Sequence, residues 1–422
     1  MEVQFNIKLS QSQQELFDLA NDKEHKYVTA VFSRQSGKSV LMMVLCIQWL
    51  LEKNNTIAYI CRNFILAKKL YRELIKIIPK NIIKSSNGTD FFIESIYGST
   101  LTFYSSEQGS SLRGQTFTHC INDEFAFFKM EQTDGTHLWN DILSPTLKSR
   151  GKKCIFVSTP LGKNILYTMY LRGLSDDFPQ YASILKTVYD DGFATPEQIE
   201  EIRKSIPDLS FRTEYLCEFT DNGVSFFSGF EHCFTDYDFN ENEGIYVGVD
   251  LSANGEDNTI VTFINDSMQT KQFKIEGTLD MKYTKIANLI NSIKNLRGAY
   301  LENNGVGTPM IAEIKKLVRN RTKIYEWNTS NSSKEEIVSD MAVKIANKEI
   351  FFNNDNKELF AELGSFIVKY TKGGRMQFEA QSGKHDDFVL SCCIALRARN
   401  DFKFKNNITR DNFVKSNIKF YG

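Results

Sequence analysis

The feature that most limits the fold is a strand, a short loop and a helix set back to back. Residues 26–32, Lys-Tyr-Val-Thr-Ala-Val-Phe, are rich in β-branched and aromatic types and predict a strand. Ser33-Arg34-Gln35-Ser36-Gly37-Lys38-Ser39 follows, and Val40-Leu41-Met42-Met43-Val44-Leu45 opens a long apolar helix. A glycine loop feeding a helix N-terminus attracts anions, because backbone N–H groups and the helix dipole both favour phosphate. In such a loop Lys38 would set its ammonium on β- and γ-phosphates and the Ser39 hydroxyl would ligate Mg²⁺. Arg34, inside the loop, could touch phosphate from the same chain. The standard phosphate loop has glycine where this chain has Phe32. Alone, Gly-Lys-Ser here reads as a plain surface loop.

A second segment changes that reading. Thr118-His119-Cys120-Ile121-Asn122-Asp123-Glu124 is a short apolar strand ending in two acids. Asp123 can hold the Mg²⁺ shell, and Glu124 can orient and deprotonate an attacking water. Ser158-Thr159-Pro160-Leu161-Gly162 ends the next strand, where the Ser158 and Thr159 hydroxyls could sense a γ-phosphate. Arg113, in Ser111-Leu112-Arg113-Gly114, reads on its own as a solvated loop arginine.

The second half carries a different chemistry. Asp250 interrupts the apolar strand Ile245-Tyr246-Val247-Gly248-Val249-Asp250, where a carboxylate is costly unless it is paired or metal-bound. Glu302 ends the strand Ala299-Tyr300-Leu301-Glu302, and His385-Asp386-Asp387 precedes the apolar helix Phe388–Leu396. Singly, these acids read as helix caps or as partners of lysines. Together, in order within one α/β unit, they suggest a two-metal site. Asp257, in Gly255-Glu256-Asp257-Asn258, is an accessory ligand or a turn residue.

The length of 422 residues fits two or three domains. Short strands alternate with helical periodicity through the first half, which implies a mostly parallel sheet covered on both faces. Residues 163–220 read as mainly helical, and 221–244 as an aromatic connector packed on a surface. From Ile245 a new α/β pattern begins with a meander, and Asn356–Tyr370 and Asp386–Arg399 read as helices. A net charge of -1 argues against nucleic-acid binding over the whole surface but leaves room for a local basic groove. None of the eight cysteines forms a CxxC pair and the five histidines do not cluster with them, so buried free thiols are expected and a structural zinc is not. No apolar run approaches the roughly 20 residues of a membrane span, and Met1-Glu2-Val3-Gln4 lacks the pattern of a signal peptide.

Taken together these residues resemble the large terminase subunit of tailed bacteriophages, the motor and nuclease that packages viral DNA, over nearly the whole chain. Ser33–Ser39 looks like that family's deviant Walker A, which accounts for the absent first glycine. Leu9-Ser10-Gln11-Ser12-Gln13 looks like its adenine-reading Q motif, with Gln13 preferred over Gln14. Asp123 and Glu124 match Walker B and the catalytic glutamate, and Ser158-Thr159-Pro160 the coupling motif. Asp250, Glu302, Asp386 and Asp387 match the nuclease acids, with Asp387 the core ligand of its pair. Glu302 stands where many relatives carry Asp. Arg113 occupies the place of the trans-acting arginine finger.

The resemblance implies an α/β chain: a P-loop ATPase domain of the ASCE type with a parallel sheet at 1–220, in which 163–220 form a lid. A connector at 221–244, a ribonuclease-H-like mixed α/β nuclease domain at 245–400 and a basic tail at 401–422 complete it. It implies ATP and Mg²⁺ at the first site, with Gly37, Lys38 and Ser39 as nucleotide contacts, and two Mg²⁺ or Mn²⁺ ions at the second. The implied partners are double-stranded DNA, the portal protein and the terminase small subunit. The chain would be a monomer in solution and a homo-oligomeric ring on the portal. It would work in the host cytoplasm, without a membrane, and be absent from the mature virion. The tail, with Phe402, Phe404, Phe413 and Phe420 among basic residues, reads equally as solvated or as docking to portal or DNA. A helicase–nuclease of DNA repair is one rival, ranked low because the second half carries acids rather than a second RecA-like set. A non-catalytic, prophage-derived DNA-binding or assembly protein is another, opposed by intact Lys38, Glu124, Asp250 and Asp387.

Overall fold

The computed structural model describes residues 8–128, 138–221, 225–251, 258–303, 307–370, 376–381 and 385–407. The chain divides into two compact units. The first holds residues up to Arg203 and Ser210–Asn222; the second holds Lys204–Leu209 and most of the chain from 223 onward.

The first unit begins with α1 (Gln11–Asn21), closed by a capping box in which Ser10 and Gln13 each bond the other's backbone. Then come β1 (Tyr27–Phe32), α2 (Lys38–Leu51), β2 (Thr56–Cys61) and α3 (Phe64–Ile77). The strands β3 (Ile83–Asn87), β4 (Phe92–Ser95) and β5 (Thr100–Ser105) lead through the short α4 (Gly109–Leu112) to β6 (His119–Asp123), β7 (Lys153–Ser158) and β8 (Tyr181–Lys186). They make one sheet in the order β3-β4-β5-β2-β6-β7-β1-β8. The run from β5 to β8 is parallel, and β3 and β4 add an antiparallel hairpin at the edge. Every residue of β1, β6 and β7 is buried, as expected of central strands covered on both faces. Helix α2 is apolar almost all round because it lies inside this core, whereas α3 buries one stripe, Ala67, Leu70, Tyr71 and Leu74.

Two local readings change here. Residues 163–220 are not only helical: β8 lies among them and pairs in parallel with β1. Its Tyr-Ala-Ser-Ile-Leu-Lys alternates burial, a weak strand signal beside flanking helices. The β3–β4 hairpin was also unmarked in the sequence, since β3 is almost wholly exposed and polar.

In the second unit a two-residue β9 (Phe234–Thr235) precedes β10 (Ile245–Asp250), β11 (Thr259–Asn265), β12 (Thr270–Ile275), β13 (Leu296–Glu302) and β14 (Ile324–Trp327). The sheet order is β12-β11-β10-β13-β14. The expected meander is present, β11 running antiparallel to both neighbours, while β10, β13 and β14 are parallel. β15 (Phe352–Asn353) pairs with β9, and β16 (Phe366–Tyr370) with β17 (Met376–Ala380). The helix expected over Asn356–Tyr370 therefore stops at Ser365, where Phe-Ile-Val-Lys-Tyr turns to strand. The last helix, Asp387–Asn407, crosses β10 closely: a Cβ on Gly248 would lie 2.2 Å from the Ala395 nitrogen. It runs past Arg399, so the expected tail starts later. Phe402 is buried against Tyr300 and Tyr325, and residues 408–422 lie outside the described residues. The connector's Phe226 and Phe227 are buried, so the segment packs and is not a free linker. All eight cysteines are free and buried. Among the described residues no helix is long and apolar enough to cross a membrane.

Candidate nucleotide and metal sites

Because β1, β2, β6 and β7 are parallel, their carboxyl ends share one edge of the sheet, the usual place for a ligand in such folds. The loop after β1 turns through Gln35 (φ 62) and Gly37 (φ 74), both left-handed. A Cβ at Gly37 would stand 2.4 Å from Gln13 Nε2, the movable end of a side chain, so it is the left-handed backbone that favours glycine here. Gln13 Nε2 donates to the Ser36 carbonyl at 3.1 Å, and its Oε1 accepts from the Ser10 N–H at 3.0 Å. The residue expected to read adenine thus braces the loop. Lys38 is buried, and its Nζ donates to the carbonyls of Ser33 at 2.8 Å and Phe32 at 3.2 Å.

Ser39 Oγ donates to Asp123 Oδ2 at 3.2 Å, and the buried Tyr59 hydroxyl donates to the same oxygen at 2.8 Å. Asp123 Oδ1 is buried with no hydrogen-bond partner. Such an atom is rare unless a cation completes it, so Ser39 and Asp123 fit Mg²⁺. Burial raises the Asp123 pKa, against the pull of Tyr59, Lys38 and Ser39. Glu124 holds φ 59, a strained value for a non-glycine residue beside a site. Burial raises its pKa too, with Lys38 opposing and Asp123 adding, which suits a general base. Its carboxylate accepts from Ser158 Oγ at 3.4 Å, which joins the ends of β6 and β7.

Lys38, Ser39 and Glu124 border a cavity of about 570 Å³ lined by the loop from Arg34 to Val40, Arg62, Glu124, Phe127, Thr159 and Glu214. Arg34, expected on phosphate, is ion-paired to Glu214. Arg113 sits on the exposed turn after α4, and the lining residues do not include it. Arg62 also lines the cavity, though no motif marks it. It stands over the Phe127 ring at 5.2 Å and its charge acts on Glu124. A basic residue directly after an apolar strand of a parallel sheet is a signal that would have found it.

In the second unit Val249 faces Leu301 across β10 and β13, so Asp250 and Glu302 stand side by side and share a hydrogen bond. Asp387 opens the last helix and accepts from the Asn258 N–H at 3.0 Å and its Nδ2 at 3.1 Å. Burial, then the Glu302 hydrogen bond and the charges of Glu302, Asp387 and Asp386, push the Asp250 pKa far above the carboxylate range. Packed carboxylates cannot all ionise without a cation, and hard oxygen donors suit Mg²⁺ or Mn²⁺. Among the described residues, however, no three acids, histidines or cysteines stand close enough to grip an ion as they are. Lys334 draws Asp386 away at 2.9 Å and Asn258 fixes Asp387, so closing on a metal requires side-chain movement. His385 is exposed, 3.9 Å from Asp387. Asp257 lies outside the described residues. Thr329, which donates to Glu302, and Glu362, whose carboxylate caps the last helix through the Phe388 and Val389 N–H groups, were also unforeseen. Burial raises the Glu362 pKa to about 8, against those two bonds and with the charge of Asp387.

A family model described as terminase large subunit, T4likevirus-type, N-terminal, matches residues 29–233. A terminase large subunit of Escherichia phage T5 is 31% identical over 207 residues, 49% of this chain and 46% of that protein. One of Thermus phage G20c is 25% identical over 332 residues, 71% of this chain and 66% of that protein. The chain thus spans about half the length of the first relative and just under two thirds of the second. A large terminase from a thermophilic bacteriophage has a similar fold, with TM-score 0.54 at 14% identity over 93% of this chain and 99% of that one.

Proposed function

We propose that the chain is a phage terminase large subunit, which hydrolyses ATP to drive double-stranded viral DNA into a procapsid and cuts that DNA at a second site; the partial matches to such proteins support the reading. One observation carries the reading. Ser39 and Asp123, 84 residues apart in sequence, meet in one hydrogen bond and leave a buried, unpartnered carboxylate oxygen beside Glu124. Mg²⁺ there would neutralise charge on the β- and γ-phosphates. Lys38 binds the phosphates, Asp123 and Ser39 hold the ion, Glu124 takes the proton of water, and Ser158 links Glu124 to the next strand. In the second unit Asp250, Glu302 and Asp387, with Asp386 beside them, hold divalent cations that supply Lewis-acid and water-activating chemistry for phosphodiester cleavage.

On this reading the partners are a portal, a small terminase subunit, DNA, and further copies of this chain in a ring. The work takes place in the cytoplasm of the infected host and at the procapsid. The helicase–nuclease alternative is weak, because the second unit is a mixed five-stranded sheet and not a second parallel nucleotide-binding sheet. The test is packaging into purified procapsids, with Mg²⁺-dependent ATPase and plasmid cleavage measured on the same protein. A chain that binds ATP without turnover and leaves plasmid intact with Mg²⁺ and Mn²⁺ would overturn the reading in favour of a non-catalytic assembly role.

A further inference from the structure

The turn after β8 carries an exposed aromatic that the phosphate chemistry does not use. Phe193 is 56% exposed, a costly position for a ring that size. Its backbone is also held in place. Its N–H donates to Asp191 Oδ1 at 3.1 Å, and the other oxygen of that buried carboxylate accepts from Ser33 Oγ, the first residue of the phosphate loop, at 2.7 Å. Ser12 of α1 donates to the Asp190 carbonyl at 2.8 Å, so Gln13's helix is tied to the same turn. Gly192 (φ +70) supplies the bend before the ring. The Phe193 Cζ lies 3.8 Å from the point where a Cβ on Gly37 would stand. Val40, 46% exposed on the first turn of α2, lines the cavity beside that glycine.

An exposed ring whose backbone is tied to the phosphate loop and whose Cζ stands beside that loop's glycine suits a flat apolar partner that arrives with the phosphates. We propose that Phe193 is the stacking platform for the nucleobase of the bound nucleotide, positioned by Asp191, and that it sets preference for nucleoside triphosphate over phosphate alone. The proposal rests on the ATPase reading above. A base has a π-face whatever its edge pattern, so the ring supplies affinity and leaves recognition of the base edge to other groups such as Gln13.

The test is calorimetric titration of ATP and of inorganic tripolyphosphate, each with Mg²⁺, into the full chain and its variants. Stacking of this kind predicts that Phe193→Ala weakens ATP binding roughly 5- to 100-fold and leaves tripolyphosphate affinity unchanged. Phe193→Leu keeps apolar contact with the loop and loses the π-face, so it should behave like the alanine variant. Phe193→Trp should keep ATP affinity, and its added indole emission should quench with ATP but not with tripolyphosphate. Tyr189→Ala, an exposed aromatic on the same turn, should alter neither affinity. Equal weakening of both ligands, or full ATP affinity in the leucine variant, would overturn the platform and leave Phe193 a structural brace. Wild-type protein that binds tripolyphosphate but gains nothing from the base would also overturn it. Wild-type protein that binds neither ligand would overturn the ATPase reading itself.

Discussion

The Tyr59 hydroxyl, buried within β2, donates to the same Asp123 oxygen that accepts from Ser39. One oxygen of the acid is thereby pinned on two sides while the other stays unpartnered. Tyr59→Phe removes one pin and keeps the ring in its core against Phe103. Loss of such a bond costs about 0.5–1.5 kcal/mol of stability. The functional expectation is a higher Mg²⁺ requirement for ATP turnover with little change in maximal rate. A Mg²⁺ titration of the ATPase checks this, and an unaltered curve would detach Tyr59 from ion binding.

Glu124→Gln should bind ATP, since Lys38, Ser39 and Asp123 remain, and hydrolyse it about 10²–10⁴-fold more slowly for want of a general base. Plasmid cleavage, on the other unit, should persist. Near-normal turnover would remove Glu124 from the mechanism.

Asp250→Asn, Glu302→Gln and Asp387→Asn should each abolish cutting and spare the ATPase, and EDTA should abolish cutting by the wild type. Asp386→Asn should be milder, because that side chain is committed to Lys334. Lys334→Ala makes the complementary case: freeing Asp386 should change the metal concentration at half-maximal cleavage. Cleavage that survives EDTA would sink the metal proposal.

What the chain disclosed in advance was what recurs at strand ends. Lys38, Ser39, Asp123, Glu124 and Ser158 were readable because parallel strands bring residues at their carboxyl ends to one edge, whatever separates them in sequence. Asp250 and Glu302 were readable because an acid closing an apolar strand needs a reason. Arg62 obeys the same rule but has no neighbouring motif to mark it. Tyr59, Asp191, Thr329 and Lys334 were not legible, since each acts on a site residue from a different element and only the tertiary fold supplies the pairing. The fold departs from the sequence pattern where that pattern is weak: β8 sits among helices, β3 is polar, and β16 follows a helix with no break except Gly364.

Gly248 gives a packing prediction independent of either activity. A methyl there would meet Ala395 N at 2.2 Å and Ser391 O at 2.4 Å, backbone atoms of a helix that cannot retreat without leaving β10. Gly248→Ala should therefore destabilise the second unit by about 1–3 kcal/mol, the range for overpacking, or more. Thermal unfolding would show the loss, and an unchanged melting curve would mean that helix and sheet are less tightly joined.

Arg113 tests assembly as well as chemistry. It stands on an exposed turn, and its own chain's cavity is lined by Arg34 and Arg62 instead. If it enters a neighbour's site, its guanidinium stabilises charge on the transferring phosphoryl group, an effect worth roughly 10³–10⁵ in rate for such fingers. An isolated monomer would then turn over slowly whatever occupies position 113. An assembled ring would accelerate, and Arg113→Ala would remove that gain while ATP binding stays almost unchanged. Mixing Arg113→Ala subunits with Glu124→Gln subunits decides the matter, measured as ATPase of the mixed ring. A wild-type glutamate in one subunit can meet a wild-type arginine from the next, so hydrolysis should exceed that of either mutant alone. A mixture no more active than its separate components would assign Arg113 to its own subunit or to structure.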